Sequence, residues 1–195
     1  MNENPKLSRK RAYELFDKNI IDTFEVGTFL GLQQIHAYMF QDVFDFAGHI
    51  RTVNISKDNF RFAPILFLEQ NLKMIEKMAE SNFDEIIDKY SEMNIAHPFR
   101  DDNGRATRLW LDNQLKKNLG VCVEWPQIDK ELYFQAMKRS PINTLELKVL
   151  LKNALTEDIH SREIYMKGIE KSFEYEGYFF EEEVKTNKKE SIYDD

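Results

Sequence analysis

The chain predicts a mostly α fold: a helical bundle carrying one short β-hairpin flap. Three observations lead there. Only 7 Gly and 5 Pro interrupt 195 residues, so helices meet few breakers. Apolar residues recur at three-four spacing over most of the length, the period of a helix with one buried face. One stretch, from Gly48 to Ala63, departs from that period and is rich in strand formers.

Ser8 to Asn19 is the first expected helix. Thr28 to Phe40 is the second, with Leu30, Leu32, Ile35, Tyr38 and Met39 as its apolar positions. Pro64 stands where a helix accepts proline, ahead of Ile65, Leu68, Leu72, Ile75 and Ala79. Ser81 and Asp84 resemble a capping box before the stripe Phe83, Ile86, Ile87, Tyr90 and Met93. Further helices are expected over 104–119, 129–139, 144–155 and 161–176. In the exceptional stretch, Ile50, Val53, Ile55, Phe60 and Phe62 flank the turn composition Ser56-Lys57-Asp58-Asn59. An isolated hairpin is marginal, so this one has to lean on the helices. The whole reads as a single domain over 1–180. From Glu181 the chain has almost nothing to bury, which predicts a frayed tail over 181–195.

A formal charge of -7, a pI near 5.3 and the lack of a long basic block argue against direct nucleic-acid binding. Cys122 is the one cysteine, so neither a disulfide framework nor a cysteine zinc site is expected. The basic start runs into Ala12-Tyr13-Glu14-Leu15 with no apolar signal core, and no run is long enough for a bilayer. The expectation is a cytoplasmic chain with no membrane partner.

The chemistry concentrates in His97-Pro98-Phe99-Arg100-Asp101-Asp102-Asn103-Gly104-Arg105-Ala106-Thr107-Arg108. Pro98 disfavours helix at His97, so the preceding helix should stop there and deliver the imidazole to the rim of a turn. Gly104 permits the backbone geometry of an anion-holding nest, and a new helix start offers free N–H groups and a positive dipole end. Arg105 and Arg108 share a face three residues apart, on a helix apolar enough to be buried through Leu109, Trp110, Leu111 and Leu115. Buried guanidinium groups need anionic partners. The bland reading is an N-cap at Asn103 with two structural ion pairs. It accounts for any one of these residues, but not for the density of phosphate-handling groups.

This segment resembles the signature of the Fic domain family, His-Pro-Phe-x-[Asp/Glu]-Gly-Asn-Gly-Arg-x-x-Arg, at every fixed position but one. Phe44-Asp45-Phe46-Ala47-Gly48-His49-Ile50-Arg51 and Phe60-Arg61-Phe62-Ala63 resemble the entry to and exit from that family's flap. The resemblance implies a Fic fold and transfer of AMP from ATP to a hydroxyl of a target protein, a Tyr, Thr or Ser. It implies His97 as general base and Asp101 as the holder of Mg²⁺. Asn103 and the N–H groups near Gly104 would fix the α-phosphate, Arg105 the β-phosphate and Arg108 the γ-phosphate. The flap, with Ile55, Ser56, Lys57 and Asp58, would align the target, Lys57 also lying against the nucleotide.

The exception is Asp102, where the family pattern has Gly. Asp tolerates positive φ, so the turn can survive. Its carboxylate would repel phosphate unless it points away, as expected here, or joins the metal shell. An inert protein or an altered nucleotide preference are the alternatives. Farther on, Ser172-Phe173-Glu174-Tyr175-Glu176-Gly177 resembles the family's inhibitory Ser-x-x-x-Glu-Gly, on a helix expected over about 161–177. The resemblance implies that Glu176 pairs with Arg108 and leaves ATP misaligned. Self-association and self-modification at Tyr165, Tyr175 or Tyr178 are weaker expectations. Gln127, after Trp125-Pro126, is the candidate for the base pocket, while Trp110, Trp125 and His36 read as structural. The expectation is thus an autoinhibited protein adenylyltransferase. Transfer of another nucleotide or phosphate-containing group, or nucleotide binding without turnover, are the readings beside it.

Overall fold

A computed structural model describes residues 4–57 and 60–180. Asp58, at the tip of the expected flap, and the expected tail over 181–195 lie outside those residues. Eight α-helices carry the described fold: α1 (Pro5–Asp17), α2 (Phe29–Phe40), α3 (Ile65–Glu76), α4 (Phe83–Ala96), α5 (Asn103–Leu119), α6 (Lys130–Arg139), α7 (Leu145–Lys152) and α8 (Arg162–Tyr175). Each expected helix is present, with shifted ends. The first begins earlier because Asn4 caps it, accepting from the Lys6 N–H at 3.2 Å, with Pro5 following at the position proline favours. The capping box of α4 sits one residue later than expected. Asn82 accepts from the Glu85 N–H at 3.0 Å, and the Glu85 carboxylate accepts from the Ser81 N–H at 2.8 Å.

The long helix α5 runs through the middle of the fold, against α2 and α4 on its sides and α8 farther along. Its burial on several faces follows from its sequence. Ala106, Leu109, Trp110, Leu111 and Leu115 point to different neighbours, and all are buried. Trp110 donates its indole N–H to the Thr28 carbonyl at 2.9 Å, which satisfies the polar handle of a fully buried ring. Gly120 ends α5 in the left-handed conformation.

Two small antiparallel ladders complete the fold. β1 (Ser56–Lys57) pairs with β2 (Phe60–Arg61), Ser56 opposite Arg61 and Lys57 opposite Phe60. The hairpin is therefore much shorter than Ile50 to Phe62, because the chain on either side bonds instead to the α4–α5 turn. The second ladder, β3 (Cys122–Val123) with β4 (Leu155–Thr156), has no counterpart among the expected elements, which include a helix over 144–155. That helix, α7, stops at Lys152, and Asn153 and Ala154 lead into the ladder.

α8 lies across α1 and the Trp125 turn. Arg9 meets Glu170 at 2.6 Å, and Tyr165 donates to the Ala12 carbonyl at 2.9 Å. Its end is a Schellman arrangement: the Gly177 N–H bonds to Glu174 O and the Tyr178 N–H to Phe173 O, with Gly177 at φ 88°. Glu176 is thereby held at the helix end, with its carboxylate against Arg108 of α5. Among the described residues, no helix is long and apolar enough to cross a membrane.

Candidate active site

His97 ends α4 in the left-handed conformation, φ 49°, with its N–H on the Met93 carbonyl. Pro98 prevents the helix from continuing, as its position implies. The imidazole lies flat on Phe62, ring centres 3.6 Å apart, and its Nδ1 is 3.3 Å from the Asn94 carbonyl. A carbonyl only accepts, so the proton sits on Nδ1 and Nε2 is the basic nitrogen. Burial, reinforced by Arg51 and Lys57, pushes the imidazole down to about 4, against the opposing pull of the Asn94 carbonyl and Glu176. His97 is therefore neutral at physiological pH. An NMR titration of the free chain should place the His97 midpoint near pH 4; a midpoint near 6.5 would contradict this environment.

Arg51 holds this turn to the flap. It is 3 % exposed, and its guanidinium donates to four carbonyls: His97 at 2.8 Å, Val53 at 2.7 Å, Ala63 at 2.5 Å and Ala96 at 3.2 Å. Its own N–H bonds to the Pro98 carbonyl, and the Ala63 N–H to Ile95. Arg51→Ala leaves these buried acceptors without donors and should cost about 3 kcal/mol of stability, read as a lowered Tm. Arg51→Lys, with no fork to reach four carbonyls, should recover only part of it.

The turn after His97 is braced from within. Asn103 accepts from the Phe99 N–H at 2.8 Å and donates to the Phe99 carbonyl at 2.9 Å. Phe99 is fully buried and stacks on His36 at 3.9 Å. His36 accepts the Gly48 N–H at Nδ1 (2.9 Å), so Nε2 carries the proton and faces the Asp101 carbonyl at 3.1 Å. Burial lowers its pKa to about 4, and the neutral ring clamps the turn from behind. Asp101 is exposed at the mouth of the site, its Oδ1 accepting the Asp102 N–H.

In front of the turn is a cleft of about 450 Å³, a size typical of small-ligand sites. Its walls include His97, Asp101, Asp102, Asn103, Gly104 and Arg108, with Lys57, Phe60 and Phe62 from the flap and Tyr133, Phe134 and Met137 from α6. The start of α5 opens into it, supplying N–H groups and a positive dipole end. Glu176 enters from α8. Its carboxylate meets Arg108 at 3.3 Å and Lys57 at 3.5 Å, and lies so close over Gly104 that a Cβ there would be 3.1 Å from Oε1. Burial would raise the Glu176 pKa, but Arg108 and Lys57 outweigh it and hold the carboxyl below the usual range. Ser172 meets the same arginine, accepting from Arg108 Nε at 2.7 Å through Oγ and from Nη2 at 3.1 Å through its carbonyl.

Several expectations need correction. Arg105 does not line the cleft; it pairs with Asp102 and packs among Phe40, Phe173 and Tyr178. Asp102 does not point away into solvent: its side chain is 7 % exposed and turned onto Arg105. The N-cap position belongs to Asp102, not Asn103, and the Asn103 amide is committed to Phe99. Gln127 is off the cleft, bonded to Glu124, and the aromatic wall comes instead from α6. Its signal was present in Lys130, Phe134 and Lys138, one face of α6 at four-residue spacing. The hydroxyls of Tyr165 and Tyr175 are bonded to backbone carbonyls inside the fold, which disfavours both as acceptors. Ile55 leads into β1, which Ser56 and Lys57 form.

Fold and cleft together define a helical domain with a histidine and a guanidinium grouped in one cleft at the start of α5. Residues 29–115 match the model of the Fic/DOC family. It is similar to the protein adenylyltransferase VbhT of Bartonella schoenbuchensis, 28% identical over 168 residues, covering 79% of this chain and 34% of that protein. It is also similar to the probable protein adenylyltransferase Fic of Escherichia coli, 27% identical over 138 residues, 65% of this chain and 68% of that one. The chain thus spans about a third of VbhT and about two thirds of the Escherichia coli protein. In fold it is similar to BepC of Bartonella tribocorum, solved with bound AMPPNP: TM-score 0.59 and 20% identity, covering 78% of this chain and 88% of that one.

Proposed function

We propose that this chain is a protein adenylyltransferase that transfers AMP from ATP to a hydroxyl side chain of a target protein and that α8 holds it inhibited. The observation that carries the reading is that His97 and Arg108 line one cleft at the start of α5. It is supported by relatives named adenylyltransferase and by the AMPPNP in BepC.

The target oxygen attacks the α-phosphorus while its proton passes to His97 Nε2. The bond from that phosphorus to the bridging oxygen breaks, and pyrophosphate leaves. The α5 N–H groups near Gly104 stabilise charge on the transferred group, and Arg108 grips the far end of the polyphosphate. Phe134 and Met137 offer an apolar wall for a base, and the flap edge at Lys57 offers backbone to an extended target. The donor set fits magnesium, for which one carboxylate with phosphate and water oxygens is ordinary. Asp101 would hold it, and the ion would neutralise phosphate charge. Glu176 occupies Arg108, so a triphosphate entering the inhibited cleft lacks that grip.

The test is pyrophosphate release from ATP by the Glu176→Gly protein in a cell lysate with magnesium, lost on adding His97→Ala. A second reading, nucleotide binding without turnover, is favoured by the pairing of Arg105 with Asp102. ATP binding with no pyrophosphate formed, even in Glu176→Gly, would select it.

A further inference from the structure

Asp102 occupies the start of α5 with φ 57°, a conformation glycine adopts freely and aspartate tolerates. The side chain this position now carries is used. Asp102 Oδ1 accepts from Arg105 Nε at 2.8 Å and also from its Nη2, spanning one helical turn. Two donors of one guanidinium on a single carboxylate oxygen fix the plane of the group as well as its position. The arginine is 1 % exposed, its Cζ 4.5 Å from the centre of Phe173, 5.3 Å from Tyr178 and 5.1 Å from Phe40, with Nη1 3.5 Å from Ser8 Oγ. It is thus seated in an aromatic socket between α1, α2 and the end of α8. Arg108, one turn along the same helix, lines the cleft, and Asp102 lines it too, but Arg105 does not.

We propose that Asp102 is a specificity-determining residue that withholds Arg105 from the outer phosphates of the nucleotide, leaving Arg108 as the guanidinium that holds them. This deepens the function proposed above and rests on it. The ion pair does not involve Glu176, so displacing that carboxylate frees Arg108 and leaves Arg105 seated. Among the described cleft residues, Asp101, Asp102, Glu131 and Glu176 balance Lys57, Arg108, Lys130 and Lys138. Removing the Asp102 charge tips that balance toward phosphate, and the released guanidinium is one turn from where a polyphosphate would lie.

The experiment is calorimetric titration of ATP and of AMP, with magnesium, into the full chain as Glu176→Gly alone and with Asp102→Gly or Asp102→Asn added. It is paired with NMR observation of the Arg105 Nε–H. Removing the carboxylate should tighten ATP at least about tenfold and AMP by less than about threefold, since the effect acts beyond the first phosphate. A general loss of folding would weaken both instead. ATP should shift the Arg105 Nε–H resonance when Asp102 is replaced and leave it in place when Asp102 is present. Unchanged or weaker ATP binding in both Asp102 variants, or an Arg105 signal that ATP moves with Asp102 intact, overturns the proposal while the nucleotide reading stands. Failure of ATP to bind any of the three proteins overturns both.

Discussion

Glu176→Gly should raise the initial rate of AMP transfer about 100-fold, near the upper end of usual coupling between a regulatory contact and a site. The carboxylate bridges Arg108 and Lys57 and lies over Gly104, the ground a bound polyphosphate needs. Its removal leaves α8 docked, because other groups anchor that helix: Glu170 on Arg9, Tyr165 on Ala12, and Phe173 in the core. Ser172 also keeps two bonds to Arg108, so that guanidinium stays aimed while losing its acid. Glu176→Gln retains a hydrogen-bonding group beside Arg108 and should release only part of the rate. Initial rates of labelled-AMP incorporation into lysate proteins check the series, and a rate equal to the unsubstituted chain would remove the brake. Acidification does not substitute for the mutation. The Glu176 pKa lies below the usual carboxylate range, so the contact is fully present above the unfolded value of 4.5 and is lost only as pH falls through the lower folded one.

His97→Ala in the Glu176→Gly background should lose about 10²- to 10⁴-fold in turnover, the usual worth of a positioned general base. The imidazole is prepared for that role. Nδ1 is held by the Asn94 carbonyl, and burial keeps Nε2 unprotonated at neutral pH. ATP affinity should stay within about threefold, because the role assigned to His97 acts on the target's proton and not on a phosphate. Binding measured by calorimetry beside turnover separates the two. A variant that loses ATP binding along with turnover would recast His97 as a nucleotide contact.

Much of this was readable in the residues. Helix positions followed from apolar spacing because each helix buries a single stripe or, for α5, nearly all of its circumference. The His97 turn followed from Pro98, and the end of α8 from Gly177. What could not be read was how polar side chains divide their bonds. Arg105 and Arg108 look equivalent in sequence, three apart on one face, yet one meets Asp102 and an aromatic socket and the other meets Glu176. That difference depends on Phe40 and Phe173, brought in from α2 and α8 by tertiary packing. Arg51 was likewise silent, since four backbone carbonyls leave no side-chain partner to find. The Cys122–Val123 ladder was too short for any strand period to register.

The central claim is that the cleft moves an adenylyl group and that Glu176 stands in its way. The most direct measurement is incubation of the Glu176→Gly chain with lysate, magnesium and ATP carrying its label on either the α- or the γ-phosphate. The account predicts that the bands that depend on the added chain are labelled from the α-position only, weak with Glu176 present and absent with His97→Ala. Label from the γ-position that appears with the Glu176→Gly chain and not without it, or α-label undiminished by His97→Ala, would contradict it.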